Sequence, residues 1–412
     1  MSSASTTAAL YACAISSSQL SGTVPEDAVE KAHHVKGGKG FTNPWDSYKE
    51  MSGWEIGKAM IWRKLNGTAN SPDTTPPTVP IRKPVFLPSR ETKVLRATWL
   101  GHACYYVEFP GGLRILFDPV FEPRCSPFSF IGPKRYTDIP CQIEDIPAID
   151  AVVISHCHYD HLSYPTVMKI KELHPNAHFF VPLKNKPWFT KSGIHNVTEL
   201  DWWESRDVHL SPVENGAKNG GNASVSVSET GIQKSAAKEI SATIECLPCQ
   251  HTSARTPFDK AHTLWASWSV TSGGKRVWFA GDTGYRTVDR LPEGEDDYNP
   301  KYQFPVCPAF KQIGSLRGPF DLGLIPIGAY DPRFVMSSMH ANPVDSVNIF
   351  KDTRCKRALG MHWGTWVLTE EDVLEPPRFL RKALKDQNIP EEGVFDVCDI
   401  GESKEFSGPQ PL

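Results

Sequence analysis

The sequence has no run of apolar residues approaching the roughly 18 that a bilayer-crossing helix needs, so no spanning segment is expected. It also lacks a basic, apolar start. Met1 to Leu20 is rich in Ser, Ala and Thr and carries no charged side chain, neither the Lys/Arg of a secretory leader nor the Arg of a mitochondrial one. Residues 1–40 therefore read as a disordered arm on an intracellular protein. Cysteine is too sparse for a disulfide scaffold: there are 10 in 412 residues, and the one C-x-x-C, Cys246 and Cys249, has no second pair at zinc-finger spacing. Those thiols read as core. An excess of one charge is missing as well. Lys and Arg total 44 against 47 Asp and Glu, a net charge of −3, which argues against a function built on nucleic-acid binding. There is no internal repeat.

Proline and tryptophan, by contrast, are plentiful, with 35 and 12 residues. Many prolines favour strands joined by shaped loops over a helical bundle. Residues 41–93 form an aromatic segment (Phe41, Trp45, Trp54, Trp62) followed by a linker at 66–83, with membrane contact as its expected role and a helical tendency from Trp54 to Leu65. From Val94 onward β-rich runs alternate with helical patterns: Cys104–Phe109, Arg114–Phe117, Ala151–Ile154, His178–Pro182, Ala242–Leu247, Trp265–Thr271, Val277–Ala280 and Leu322–Ile327. Helices are expected at Pro165–His174, after Asn342-Pro343 and from Pro377. This is an α/β pattern, with one catalytic domain over 94–412. Two stretches, about 212–240 and 286–305, read as mobile surface insertions.

The chemistry concentrates in Ser155-His156-Cys157-His158-Tyr159-Asp160-His161, directly after an apolar run. Four potential ligands within six residues can turn His156 and His158 to one metal and Asp160 and His161 to a second. Zinc suits imidazole and carboxylate; iron or manganese would be tolerated. His251, Asp282 and His362 each follow another apolar run, where α/β folds gather functional groups. Cys157 reads as a small filler.

The order of these motifs resembles the metallo-β-lactamase superfamily over roughly residues 94–400. More narrowly, Thr98-Trp99-Leu100-Gly101-His102-Ala103, Phe117-Asp118-Pro119, Gly132-Pro133-Lys134-Arg135, Asp201-Trp202-Trp203-Glu204, Gly281-Asp282-Thr283-Gly284-Tyr285, Ile325-Pro326-Ile327-Gly328-Ala329-Tyr330 and His362-Trp363-Gly364-Thr365 resemble the N-acylphosphatidylethanolamine-hydrolysing phospholipase D family, as does the earlier Asn43-Pro44-Trp45. The resemblance implies an αββα sandwich with a dinuclear metal site at one edge and two Zn²⁺ per chain. His156, His158 and His251 would hold one zinc, Asp160, His161 and His362 the other, and Asp282 would bridge them. Tyr159 and His340 match positions that contact the phospholipid, His340 as a cationic phosphate contact or proton donor. His102 and Asp118 would orient ligands.

The implied reaction is attack of a metal-bridging hydroxide on phosphorus, releasing N-acylethanolamine and phosphatidic acid. Rival readings are another hydrolase of this fold acting on a different lipid, ester or phosphodiester, and a non-catalytic lipid-binding protein. Asp201-Trp202-Trp203 and the aromatic segment favour an apolar substrate. A phospholipid substrate implies peripheral docking on a membrane, which the resemblance puts at the cytoplasmic face of an internal membrane. It also implies a homodimer. Fungal-type relatives suggest mitochondria, although the leader has no Arg.

Overall fold

The computed structural model describes residues 11–213, 238–292 and 294–407. Two mixed sheets face each other. One has eight strands, in the spatial order Tyr11–Ser17, Ser205–Pro212, Ile240–Leu247, Ser267–Ser272, Lys275–Phe279, Leu322–Pro326, Ala358–Met361 and Phe395–Asp396. The other has seven: Ser403–Phe406, Leu95–Trp99, Tyr105–Glu108, Arg114–Phe117, Ala151–Val153, His178–Pro182 and Val197–Leu200. The expected strands are all present within a few residues of their predicted bounds.

Period-two alternation explains the layering. Tyr105, Val107, Ile115, Phe117, Val153 and Phe180 point inward, where they share one core with Ile244, Trp268, Val270, Phe279 and Leu324 of the other sheet. Their neighbours Tyr106, Leu116, Val152, Phe179 and Val181 point outward and are covered by Val167, Ile170 and Phe189. Val167 and Ile170 belong to the helix Tyr164–Leu173, which Ser163 caps by accepting from Thr166 N. Asn342 caps Pro343–Asp352 in the same way, through Asp345 N. The last long helix starts at Glu375, two residues before the predicted Pro377, because both Pro376 and Pro377 fit its first turn. With helices on both outer layers, the sandwich is the expected one.

Several expectations are corrected here. Residues 11–40 are not a disordered arm: Tyr11–Ser17 is an edge strand antiparallel to Ser205–Pro212, while residues 1–10 lie outside the described residues. The small residues of this strand gave little hydrophobic signal, although Tyr11 is buried. Further along, Lys31, His33 and His34 converge on the buried carboxylate of Asp201 at 2.7–2.8 Å. Phe41 is buried, and Trp45 stacks on Trp202 with ring centroids 5.4 Å apart, so neither is free to meet a membrane. Trp202 and Trp203 are themselves core residues. The described part of 286–305 is tied to the body at Arg286, Asp297 and Tyr298. Arg286 and Arg333 both pair with Asp297 and Asp345, and the Tyr298 hydroxyl donates to Asn342 and Asp345. Most of 212–240 lies outside the described residues. All ten cysteines are free thiols, and Cys246 and Cys249 are buried.

Candidate metal centre

Both sheets run their parallel strands to the same edge, and each candidate ligand follows the carboxyl end of a strand. Asp118 follows Arg114–Phe117, the histidine string follows Ala151–Val153, Asp282 follows Lys275–Phe279 and His362 follows Ala358–Met361. His251 follows Ile240–Leu247, which points the same way. Three of these turns use the left-handed region: His102 at φ +50°, Asp118 at φ +36° and His362 at φ +63°. Such strain persists only where surrounding contacts impose it. Gly281 has the same need, with φ +59°, and a Cβ there would lie 2.6 Å from the Ser155 Cβ.

The predicted ligands come together. His156 Nε2 lies 2.7 Å and His251 Nε2 3.3 Å from His158 Nδ1. Asp160 Oδ2 lies 3.3 Å from His161 Nε2 and 3.5 Å from His362 Nε2. Asp282 Oδ2 sits between the groups, 2.9 Å from His362 Nε2, 3.1 Å from His161 Nε2, 3.8 Å from His251 Nε2 and 4.0 Å from His156 Nε2. His102 joins the second group, its Nε2 3.0 Å from Asp160 Oδ2. His340 is adjacent, with Nδ1 4.0 Å from Asp282 Oδ2.

Hydrogen bonds behind the rings set which nitrogens are bare. Ser155 Oγ donates to Asp118 Oδ2, so it accepts from His156 Nδ1 at 2.8 Å. His161 Nδ1 donates to Asp118 Oδ2 at 2.6 Å, and His251 Nδ1 donates to Met339 O at 3.0 Å. In each ring Nε2 faces the cluster and is the nitrogen that would ligate a cation, any proton it carries leaving as the cation binds. Asp282 Oδ1, His161 Nε2 and both ring nitrogens of His362 are buried with no hydrogen-bond partner. Buried polar atoms are rarely left so, and cations between the two groups would satisfy those that face the cluster, His161 Nε2 and His362 Nε2.

Electrostatics agree. Burial pushes Asp160 and Asp282 up, yet the His161 charge beside them holds both well below the usual carboxylate range. Burial pulls His161 and His362 down, but Asp282 and Asp160 outweigh it. His161 stands well above its ordinary value and His362 is raised to about 9. The carboxylates thus draw positive charge into the cluster. Burial instead lowers His340 to about 4.

Sequence reasoning missed two supports. Asn43 brackets the ligand-bearing backbone, its Nδ2 donating to His251 O at 2.7 Å and its Oδ1 accepting from His251 N at 3.2 Å. Arg255 donates to Cys157 O and Leu162 O, both at 2.8 Å, and its guanidinium lies 3.9 Å over the Tyr159 ring. It therefore ties both ends of the ligand loop. The only advance signal for Asn43 was its place in Asn43-Pro44-Trp45; Arg255 gave none. Tyr159 packs under Arg255. Cys157 is the buried filler expected, accepting from Thr263 Oγ1 at 3.3 Å.

Residues 113–363 match the model of the β-lactamase superfamily domain. The chain is 36% identical over 393 residues to N-acyl-phosphatidylethanolamine-hydrolyzing phospholipase D 1 of Caenorhabditis elegans, covering 92% of this chain and 96% of that one. The chain belongs to this family. A mitochondrial enzyme of the same name from Saccharomyces cerevisiae is 33% identical over 286 residues, which span 68% of this chain and 49% of the yeast protein. Among solved structures, the Ignicoccus hospitalis metallo hydrolase Igni18 is similar at 20% identity and a TM-score of 0.44, covering 77% of this chain and 100% of that one. This family member is a metal-dependent hydrolase on the metallo-β-lactamase fold. Among the described residues, no helix is long and apolar enough to cross a membrane.

Proposed function

We propose that the chain hydrolyses N-acylphosphatidylethanolamine to N-acylethanolamine and phosphatidic acid with two zinc ions. The observation that carries this reading is the pair of His/Asp groups joined by Asp282 Oδ2, in a chain matching a phospholipase D of that specificity along nearly its whole length. His156, His158 and His251 would hold one ion and Asp160, His161 and His362 the other, with Asp282 shared. Imidazole and carboxylate suit zinc. Bound cations there would acidify a water and neutralise phosphoryl oxygens.

The protein's own groups do the rest. Asp118, Ser155 and the Met339 carbonyl hold the rings in the ligating tautomer. Asp282 and Asp160 supply the negative charge that fixes cations while leaving the loaded site net positive toward a phosphodiester. His340 offers a hydrogen-bonding edge to an anionic oxygen. Water adds its oxygen to phosphorus, the bond to the N-acylethanolamine oxygen breaks, and that oxygen takes up a proton.

A phospholipid must be drawn from a bilayer. Trp54, Ile61, Trp62 and Leu65 on the helix Gly53–Leu65 are exposed beside Lys58 and Lys64, which supports this helix as a docking element. Deleting residues 1–65 would be a poor test, since Asn43 braces His251. Trp54→Ser with Leu65→Ser is the cleaner perturbation.

The experiment for the reaction class is lipid mass spectrometry on purified protein with mixed phospholipids. Paired appearance of N-acylethanolamine and phosphatidic acid is expected. Cleavage of a different lipid bond, or none at full metal content, would overturn the reading.

A further inference from the structure

The loop between Arg124 and Arg135 is built to hold an apolar tip away from the protein. Its neck is closed by an antiparallel bridge between Arg124 and Lys134 and by Arg135 N donating to Pro123 O at 2.8 Å. The two arms press together so closely that a Cβ on Gly132, at φ +99°, would lie 2.6 Å from the Ser126 Cβ. At the tip Phe128, Phe130 and Ile131 are 54%, 77% and 58% exposed, the two rings 5.6 Å apart. Exposed apolar side chains cluster this way where something covers them.

Charge and position identify the cover. Arg124 and Lys134 flank the tip, no acidic residue lies between them, and the nearest carboxylates are Glu122 and Asp138 outside the neck. The Arg135 guanidinium lies 4.4 Å over the Trp366 ring, and Trp366 meets His102 edge-on at 4.8 Å. Tyr136 and Trp366 line a groove together with His362. Next to the lining residues Thr369 and Glu371, Glu370 receives Arg63 of the helix Gly53–Leu65, whose aromatic residues are also exposed. The loop thus joins a groove lined by His362 at its base, and exposed apolar side chains with basic neighbours occur both on the loop and on that helix. Arg135 is turned inward, donating to Glu122 O and Val120 O, so a two-fold contact with a second copy through this loop would set Arg124 and Lys134 against their own copies, which disfavours self-association.

We infer that the Phe128-Ser129-Phe130-Ile131 tip inserts into the surface of a bilayer carrying anionic lipid, with Arg124 and Lys134 at the headgroup level. This rests on the proposed phospholipid substrate, whose hydrolysis leaves an anionic lipid in the same membrane.

The test compares the full chain with its Phe128→Ser, Phe130→Ser, Ile131→Ser triple variant, by flotation with phosphatidylcholine vesicles with and without phosphatidic acid. The wild type should float with the anionic vesicles and less with the neutral ones. The variant should bind roughly tenfold or more weakly, since each lost aromatic removes a large buried apolar surface. Its hydrolysis of soluble bis(p-nitrophenyl) phosphate should be unchanged, showing that fold and centre are intact. Equal flotation of both proteins, or flotation of neither, would overturn the inference. So would equal flotation with a changed size on gel filtration, which marks a self-contact. Flotation needs no turnover. Loop-dependent binding without phospholipid cleavage would therefore sink the proposed reaction and leave this inference standing.

Discussion

Asp118 never reaches the cluster, yet replacing it with Asn should cost metal affinity in a way the geometry specifies. The carboxylate is fully buried and accepts three hydrogen bonds: Ser155 N to Oδ1 at 2.7 Å, and Ser155 Oγ and His161 Nδ1 to Oδ2 at 2.5 and 2.6 Å. An Asn carbonyl must stay at the Oδ1 position to satisfy Ser155 N, which puts its amide NH₂ against His161 Nδ1. That NH₂ can only donate, so the ring proton moves to Nε2, the atom 3.1 Å from Asp282 Oδ2. Ligation by His161 then needs an unfavourable tautomer. Loss of such an outer partner lowers metal affinity roughly 10–100-fold, or about 1.4–2.8 kcal/mol. The backbone should tolerate Asn at φ +36°, because Asn visits the left-handed region more readily than most residues. The assay is chelator competition followed by metal analysis, with thermal unfolding of the metal-free proteins as a control. Asp118→Asn should lose metal at lower chelator concentrations, and excess zinc should restore much of its activity. Metal retention equal to wild type would refute the tautomer argument.

Three further outcomes follow from the same geometry. Arg255→Ala should lower stability by about 1–3 kcal/mol through two unsatisfied carbonyls and reduce metal retention; Arg255→Lys should not rescue it, since a single ammonium cannot serve both carbonyls and stack on Tyr159. Unchanged thermal unfolding and metal content in Arg255→Ala would reject that role. Metal uptake at pH 8 should release about two protons, from His161 and His362, because both are raised when no cation is bound. The release should shrink as pH rises through about 9, where His362 loses its proton unaided. Calorimetry in buffers of different ionisation enthalpy reads it, and buffer-independent heats would contradict the charge balance drawn here. Gly281→Ala places a methyl 2.6 Å from Ser155 Cβ and 2.9 Å from Ala266 O, so it should destabilise by about 2 kcal/mol or more. A melting temperature within a degree of wild type would show that the turn relaxes easily.

Much of the site was legible because its ligands obey a local rule: each follows an apolar strand, so His156, Asp282 and His362 stood out without any knowledge of pairing. The groups that tune them did not. Asn43 supports His251 across 208 residues and Arg255 reaches Cys157 across 98, and no periodicity announces contacts so remote in sequence. The edge strand Tyr11–Ser17 was illegible for a different reason. Its Ala, Cys and Ser residues are weakly hydrophobic, and it is held by backbone pairing to Ser205–Pro212. The tryptophans misled in the opposite sense. Trp45 and Trp202 read as an approach for lipid, but they stack on each other, and Trp202 donates to Trp265 O at 2.7 Å inside the core. Exposed apolar side chains are instead found at places such as Trp54, Trp62 and the Phe128–Ile131 tip.

In the proposed reaction water, directed by this cluster, attacks phosphorus and releases the N-acylethanolamine. Turnover of N-acylphosphatidylethanolamine by the zinc-loaded protein in ¹⁸O-water, followed by mass spectrometry of both products, tests it most directly. One ¹⁸O is expected in the phosphate of phosphatidic acid and none in N-acylethanolamine. Label in the alcohol, or no phosphatidic acid from fully loaded protein, would contradict it.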